Sequence, residues 1–375
     1  MTLRFLVIAH KELLQLRRDR MTLAMMLVLP IVQLLLFGYA INTDVRHIRT
    51  VVYDQDRSAQ SRDLARTLEA TGFYDLVGEV TSHAEIERAL RSGQARAALV
   101  VPARYAADVA AGHPAHLQLV VDGSDPQVVA SASDTATSLV ATRSGELRVA
   151  RLARMGAAAG PEPIELTPSI LYNPDLRTAV NVVPGLIGVL LTMTMVMLTA
   201  MAMARERERG TLEQLIVSPV QKLELVVGKI FPYVAIGYVQ MALILAFGRF
   251  VFRVPITGSV GLLFALAFVF IAANLAIGLF FSTLAATQQQ AMQMSFFFLL
   301  PNILLSGFMF PFEAMPRPAQ WLAQGLPLTH FLRIVRGIVL KGATFADLRG
   351  ELAWLTAILF ALVAFASLRF RKKLV

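Results

Sequence analysis

Six long apolar runs divide this chain of 375 residues, and a polar stretch of ordinary globular composition separates the first run from the other five. A run of about 20 apolar residues can cross a bilayer as a helix, which satisfies its own backbone hydrogen bonds where no water is at hand. Thr22–Ile41 is the first such run and holds 11 residues of the Leu/Ile/Val/Phe type. Each is worth roughly −0.3 to −0.6 kcal/mol on insertion, and the sum of about −3 to −6 kcal/mol outweighs Gln33 and Pro30. Gly38-Tyr39-Ala40 is shaped like a signal-peptidase site, but the run exceeds the usual core of about 7–15 residues, so an uncleaved anchor is expected. The apolar share of 56% and charged share of only 16% agree with a polytopic membrane protein. The net charge of +9 follows from Lys and Arg flanking the runs, where they set orientation and meet anionic lipid. It implies no nucleic acid. With no cysteine in the chain, disulfides and thiol chemistry are excluded.

The charges predict the topology. Arg4, Lys11, Arg17, Arg18 and Arg20 keep the N-terminus in the cytoplasm, and Phe5, Ile8, Leu13 and Leu16 interleave with them. Residues 1–21 thus read as an amphipathic helix on the membrane surface, followed by span one, 22–41. Residues 42–181 contain no spanning run and read as an α/β domain outside the cytoplasm. Thr50–Asp54, Ala97–Val101, Leu117–Val121 and Leu166–Tyr172 are the expected strands; Ser58–Ala70 and Ala84–Leu90 are the expected helices. Asp125-Pro126 pairs an N-cap with proline at the first helical position and opens a long helix to about Met155, with a small-residue linker at 156–163. Residues 182–375 carry the other expected spans: Val182–Ala204, Ile230–Phe247, Val260–Thr283, Ala291–Phe310 and Leu352–Leu368. Arg369, Arg371, Lys372 and Lys373 then hold the C-terminus inside. The expected fold is a polytopic α-helical membrane protein with six transmembrane helices and an extracytoplasmic α/β domain between helices 1 and 2. One stretch resists the charge rule. Glu313–Gly350 falls outside yet contains Arg317, Arg333, Arg336, Lys341 and Arg349. Leu328–Leu340 is apolar at helical spacing but too short to span, so residues 313–342 read as interfacial or re-entrant.

Several chemistries find no support in the residues. Gly228-Lys229 lacks the upstream glycine and the following Ser/Thr of a phosphate-cradling loop. His113 and His116 have no evident third ligand, and helix capping explains Asp125 without calcium. No catalytic site and no metal or cofactor site is expected. The spans carry no ionisable residue near their centres, which disfavours a carrier driven by protons or sodium. Gln33, Asn274, Gln293, Asn302 and Ser306 are the polar residues at membrane depth. They either bond between helices or line a translocation path.

Between the second and third spans lies Arg205-Glu206-Arg207-Glu208-Arg209-Gly210-Thr211-Leu212-Glu213, closed by Ser218-Pro219. Arg209 and Glu213 are spaced to pair on one helical face, and Leu212, Leu215 and Ile216 form an apolar one. Pro219 ends that helix.

These residues together resemble the permease subunits of type-2 ATP-binding-cassette exporters, in the branch with a large extracytoplasmic insertion after span one. The likeness rests on His10-Lys11-Glu12, Leu16-Arg17-Arg18-Asp19, Leu29-Pro30-Ile31 and Phe37-Gly38-Tyr39-Ala40. It continues through Tyr172-Asn173-Pro174, Arg205–Pro219, Gly228-Lys229, Ser306–Pro311, and Pro327-Leu328-Thr329-His330 through Arg336-Gly337. Nearly the whole chain is covered, most weakly in residues 55–165. The resemblance implies a bacterial inner (plasma) membrane protein that exports drug-like or amphipathic molecules. It implies a second permease subunit, a cytoplasmic ATPase dimer that holds the ATP and Mg, and a periplasmic adaptor as a further partner. It makes residues 205–218 the coupling helix on that ATPase, with Glu206, Arg207, Glu208, Arg209, Gly210, Thr211, Leu212, Glu213 and Leu215 as its contacts. A membrane-anchored sensor whose outer domain binds a ligand is the competing reading, although five spans after that domain exceed what an anchor needs.

Overall fold

The computed structural model describes residues 45–155, 163–208 and 222–371. The expected N-terminal helix, span one, most of the 156–163 linker and residues 209–218 lie outside the described residues.

Five strands form one sheet: β1 (Ile48–Asp54), β2 (Tyr74–Glu79), β3 (Ala97–Val101), β4 (Ala115–Asp122) and β5 (Ile164–Leu171). Their order is β2-β1-β3-β4-β5. All neighbours run parallel except β3 and β4, which pair antiparallel from Ala97↔Val121 to Val100↔Gln118. Every residue of β3 is buried because helices cover both faces of the sheet. Ala97, Leu99 and Val101 face one core with α1 (Ala59–Ala70), α3 (Tyr105–Ala111) and α4 (Pro126–Met155). Ala98 and Val100 face the other, against Ile86, Ala89 and Leu90 of α2 (His83–Arg91). Local chemistry sets the helix starts. Ser58 accepts a hydrogen bond from Ser61 N at the head of α1, and Ser82 accepts one from Glu85 N at the head of α2. Asp125 Oδ1 accepts from Gln127 N at 3.1 Å ahead of Pro126. Thus the four expected strands and three expected helices form close to their predicted bounds. β2 is an addition: it sits at the sheet edge, buries Tyr74 fully, and otherwise leaves a mixed polar surface with no alternation to read.

The second half of the chain is helical: α5 (Thr178–Glu208), α6 (Lys222–Phe250), α7 (Val260–Leu284), α8 (Gln288–Leu305), a 3-10 turn at Phe312–Ala314, α9 (Arg317–Gln324), α10 (Pro327–Lys341) and α11 (Phe345–Arg371). Among the described residues, four helices are long and apolar enough to cross a membrane: those at Thr178–Glu206, Pro232–Phe250, Val260–Leu284 and Phe345–Phe365. The expected span Ala291–Phe310 is shorter than its apolar run. Ser306 caps α8 and Gly307 turns the chain with φ 87°, so the helix has 18 residues and rises about 27 Å. Its opening turn of glutamines keeps it outside those four.

α5 is the hub, packed against α6, α7, α8 and α10. Small residues let the backbones approach. A Cβ on Gly278 of α7 would stand 2.6 Å from Val196 O and 2.8 Å from Thr199 Cβ of α5. Gly188 of α5 gives the same room to Leu328 and Phe331 of α10. Phe331 in turn stacks on Phe270 of α7 with centroids 4.0 Å apart. As a result α10 is buried along nearly its whole length between α5, α7 and α11. Its neighbour α9 presents Trp321 and Leu322 at the surface.

Gly278→Val is expected to force α5 and α7 apart and to lower the thermal unfolding midpoint of the purified protein, at a cost of about 1–3 kcal/mol. Gly145→Ala in α4, where an added Cβ meets nothing within 4 Å, should leave the midpoint unchanged or raise it slightly.

Candidate functional site at the junction of sheet and helices

The last residue of β4, Asp122, is fully buried and surrounded by cations. The antiparallel pairing of β3 and β4 puts it opposite Arg96, whose carbonyl accepts from Asp122 N at 2.9 Å. Arg96 Nη1 then donates to Asp122 Oδ2 at 2.9 Å, and its Nε donates to Glu313 Oε1 of the 3-10 turn at 3.1 Å. From the end of α10, Lys341 Nζ reaches the same Asp122 Oδ2 at 2.5 Å and Leu90 O at 3.2 Å, under the ring of Tyr172. Arg336, one turn and a half earlier on α10, donates to Gly307 O at 3.1 Å and faces Asp125. Arg91 of α2 closes the rim with Asp347 of α11 at 3.7 Å.

Three cations and three carboxylates therefore meet where the sheet rests on α10 and the 3-10 turn. Removing charges from water costs several kcal/mol per ion, so such a cluster holds only if each charge finds its counter-charge. Burial alone would push the Asp122 carboxyl up, but Lys341 and Arg96 outweigh it and hold that carboxyl far below the usual range. Burial acts likewise on Glu313, and Arg96 again pulls it down. Asp125 differs. Burial pushes its carboxyl up, and Arg336 and Arg96 offset only part of that. Burial draws the Lys341 ammonium and the Arg336 guanidinium down, opposed by Asp122 and Asp125 respectively.

Among the described residues no group of His, Cys, Asp and Glu is arranged to hold a metal ion. His116 pairs with Glu165 on the surface at 3.0 Å. A cavity of about 560 Å³ opens between β1, β2 and α2, lined by Arg49, Val51, Val77, Glu79, Glu85 and Arg88.

At the far end of the helices Arg205, Glu206, Arg207 and Glu208 belong to the described part of α5. Glu208 accepts from Gln288 N at 2.9 Å and from Gln288 Nε2 at 2.6 Å, and Arg205 Nε donates to Gln288 Oε1 at 3.0 Å. This segment thus clasps the head of α8. The other expected coupling residues, Arg209, Gly210, Thr211, Leu212, Glu213 and Leu215, lie outside the described residues.

The expected path residues divide. Gln33 lies outside the described residues, and Gln293 is half-buried. Asn274 and Asn302 are enclosed in the bundle at 0% and 1% exposure rather than facing an open channel. Asn274 Nδ2 donates to Phe270 O, one turn back on its own helix, while its Oδ1 has no partner. Neither amide atom of Asn302 has one among the described residues. Ser306 donates to Ile303 O. Thr192 and Thr199 of α5 add two more buried hydroxyls without partners, which the sequence reading did not single out.

Sequence reasoning ended a strand at Val121, next to Asp122, and found Arg336 and Lys341 at odds with the charge rule, but did not join them. The misplaced cations were the available signal, since basic residues on the wrong side need a local counter-charge.

Asp122→Asn should leave Lys341 and Arg96 buried without their carboxylate and lower the unfolding free energy by about 3–5 kcal/mol. Asp125→Asn, which keeps a good N-cap and removes a poorly compensated charge, should cost under about 1 kcal/mol. Because the Asp122 carboxyl is depressed, its stabilisation is complete above the ordinary carboxylate range near pH 4 and is lost only as pH falls further. Chemical denaturation of the two variants across pH checks both expectations.

Comparison with known proteins follows the same lines. Residues 20–368 match the family model described as ABC-2 family transporter protein. The chain is 30% identical over 341 residues, 91% of either chain, to the probable multidrug ABC transporter permease YbhR of Escherichia coli. It is 27% identical over 337 residues to the probable multidrug ABC transporter permease YbhS of the same organism, covering 88% of this chain and 87% of that one. It is 28% identical over 324 residues to the inner membrane transport permease YhhJ of Escherichia coli, covering 86% and 84%.

Proposed function

We propose, on the premise that the chain belongs to the ABC-2 transporter family, that this permease is the membrane subunit of an ATP-driven exporter. The observation that carries the reading is a family match running from residue 20 to 368 in a chain whose sequence offers no phosphate-cradling loop of its own. ATP would then be hydrolysed on a separate cytoplasmic ATPase dimer. Residues 22–41, α5, α6, α7, α8 and α11 are its six spans in this reading, the α/β domain lies outside, and both termini lie in the cytoplasm of a bacterial inner membrane. Two relatives are named as probable multidrug permeases, which supports a drug-like or amphipathic substrate. Two such subunits, alike or different, would enclose the path, and the outer domain would dock a periplasmic adaptor.

Hydrolysis elsewhere can move the spans only through a contact whose free energy differs between ATPase states. Residues 205–218 are the proposed contact. Glu208 already ties the end of α5 to α8 through Gln288, so a push on this segment reaches two spans directly. Leu212, Leu215 and Ile216 would enter a cleft on the ATPase, with burial of one leucine worth about 1.5–3 kcal/mol. Asn274 and Asn302, whose buried Oδ1 atoms have no partner among the described residues, are the groups that a shift of α5 against α7 and α8 would offer to a substrate.

The ATPase is expected to co-purify with the tagged permease. Leu212→Asp and Leu215→Asp should abolish substrate-stimulated ATP hydrolysis in the reconstituted complex at normal membrane levels, and Gln214→Ala should not. Full stimulation in both Asp variants would refute the coupling role.

For topology, single cysteines in this cysteine-free chain at exposed Gln94 or Arg317 should label in intact cells. Cysteines at Gln214 or Gln289 should label only after permeabilisation. Labelling of Gln214 from outside would invert the arrangement.

A further inference from the structure

His330, near the head of α10, is buried to 1% exposure, and both of its ring nitrogens face oxygen. Nε2 lies 2.9 Å from the carbonyl of Gln324, the last residue of α9. Nδ1 lies 2.6 Å from Glu351 Oε2 of α11. A backbone carbonyl only accepts, and an ionised carboxylate only accepts. A neutral imidazole has one N–H and can satisfy one of the two. The other oxygen of Glu351 accepts from Arg333 Nη1 at 3.1 Å, which favours its ionised form. Whether the extra proton rests on the ring or on the carboxyl, this arrangement holds one proton more than a neutral imidazole beside a carboxylate.

We propose that His330 and Glu351 form a proton-binding site that latches the C-terminal end of α9 to α10 and α11. The surroundings suit an imidazolium. Gln324 presents a helix C-terminal carbonyl, where positive charge is favoured. The Trp354 ring lies parallel to the imidazole at 6.0 Å and 8°, offering its π-face to a cation. Among the charged groups on the elements packed around the ring, Glu351 of α11 attracts the proton and Arg333 of α10 opposes it. Arg49 of the sheet acts on the same carboxylate from farther off. The one charged residue of α9, Arg317, stands at its opposite end. α7 has no charged residue, and the charges of α5 lie at 205–208.

The sign is set by the hydrogen bonds. With the proton bound, both contacts exist and α9 is held. As pH rises and the proton leaves, one ring nitrogen faces an oxygen lone pair, and the backbone carbonyl of Gln324 cannot supply the missing hydrogen. α9 then loses this tie and is held by the apolar packing of Ala319 and Ala323, which lets its end move further, while Arg333 still ties α10 to α11. On the proposed orientation, and resting on that reading, the latch stands at the outer ends of the spans, so external acidity would keep this corner closed.

The test uses the full-length chain in lipid nanodiscs, without ATPase or substrate. Spin labels at Leu322→Cys on α9 and Arg349→Cys on α11, both exposed positions, report their separation by pulsed electron resonance. One narrow distance is expected at pH 5, giving way to a longer and broader distribution at pH 9. Glu351→Gln, which removes the carboxylate that Nδ1 faces, should narrow the difference between the pH 5 and pH 9 distributions. His330→Gln should abolish the pH response. A wild-type distribution identical at both pH values overturns the proposal, as does an unchanged response in His330→Gln. Should His330→Gln fail to fold, the wild-type series and Glu351→Gln decide it. Because no transport is measured, failure here leaves the exporter reading standing, and failure of the coupling experiment leaves the latch standing.

Discussion

One buried carboxylate holds the two halves of this molecule together. Asp122 ends a central strand at a fully buried point, and its charge is balanced chiefly by Lys341 from α10 and by Arg96 beside it. An ion pair of this kind adds little net stability over a well-packed apolar contact, because desolvation offsets most of the attraction. Its effect is on specificity. Sliding the sheet along α10 by one residue would part Asp122 from Lys341 and Asp125 from Arg336, so the cluster admits one register of domain on helices.

The helical half is governed by a different constraint. Where lipid is the solvent, burying apolar side chains provides no driving force, and helices associate through close packing and the few polar groups they contain. Glycine at 185 makes room for Phe308 in the turn after α8, and glycine at 188 and 278 brings α5 against α10 and α7 more closely than any larger residue would allow. The amide of Asn302 breaks the pattern, being enclosed without a partner among the described residues. Such a group is costly in this state and costs less in any state that gives it one.

Between these regions lies the corner built from the 3-10 turn, α9, α10 and the head of α11. Phe312 stacks under Arg333, Arg333 bonds Glu351, Glu351 bonds His330, and the next residue of the turn, Glu313, joins the junction through Arg96. The domain and the span ends are thus linked by a continuous set of charged contacts, and a change at one end alters the electrostatics felt at the other.

The sequence by itself determined the parts. Apolar runs of bilayer length marked the four helices among the described residues that are long and apolar enough to cross a membrane, continuous strand runs such as Ala97–Val101 marked the sheet interior, and Ser58 and Asp125-Pro126 marked helix starts. These are local signals, set by chain length, dihedral preference and capping within a few residues. Strand β2 escaped because an edge strand buries one residue fully and shows no alternation. α8 came out shorter than its apolar run because Ser306 and Gly307 stop the helix before hydrophobicity ends. What only the tertiary structure decided is which distant charges meet. Asp122 and Lys341 stand 219 residues apart, and His330 and Glu351 stand on different helices. No periodicity encodes such pairs, because a buried charge is tolerated only where folding delivers its counter-charge, and that delivery is a property of the packed chain.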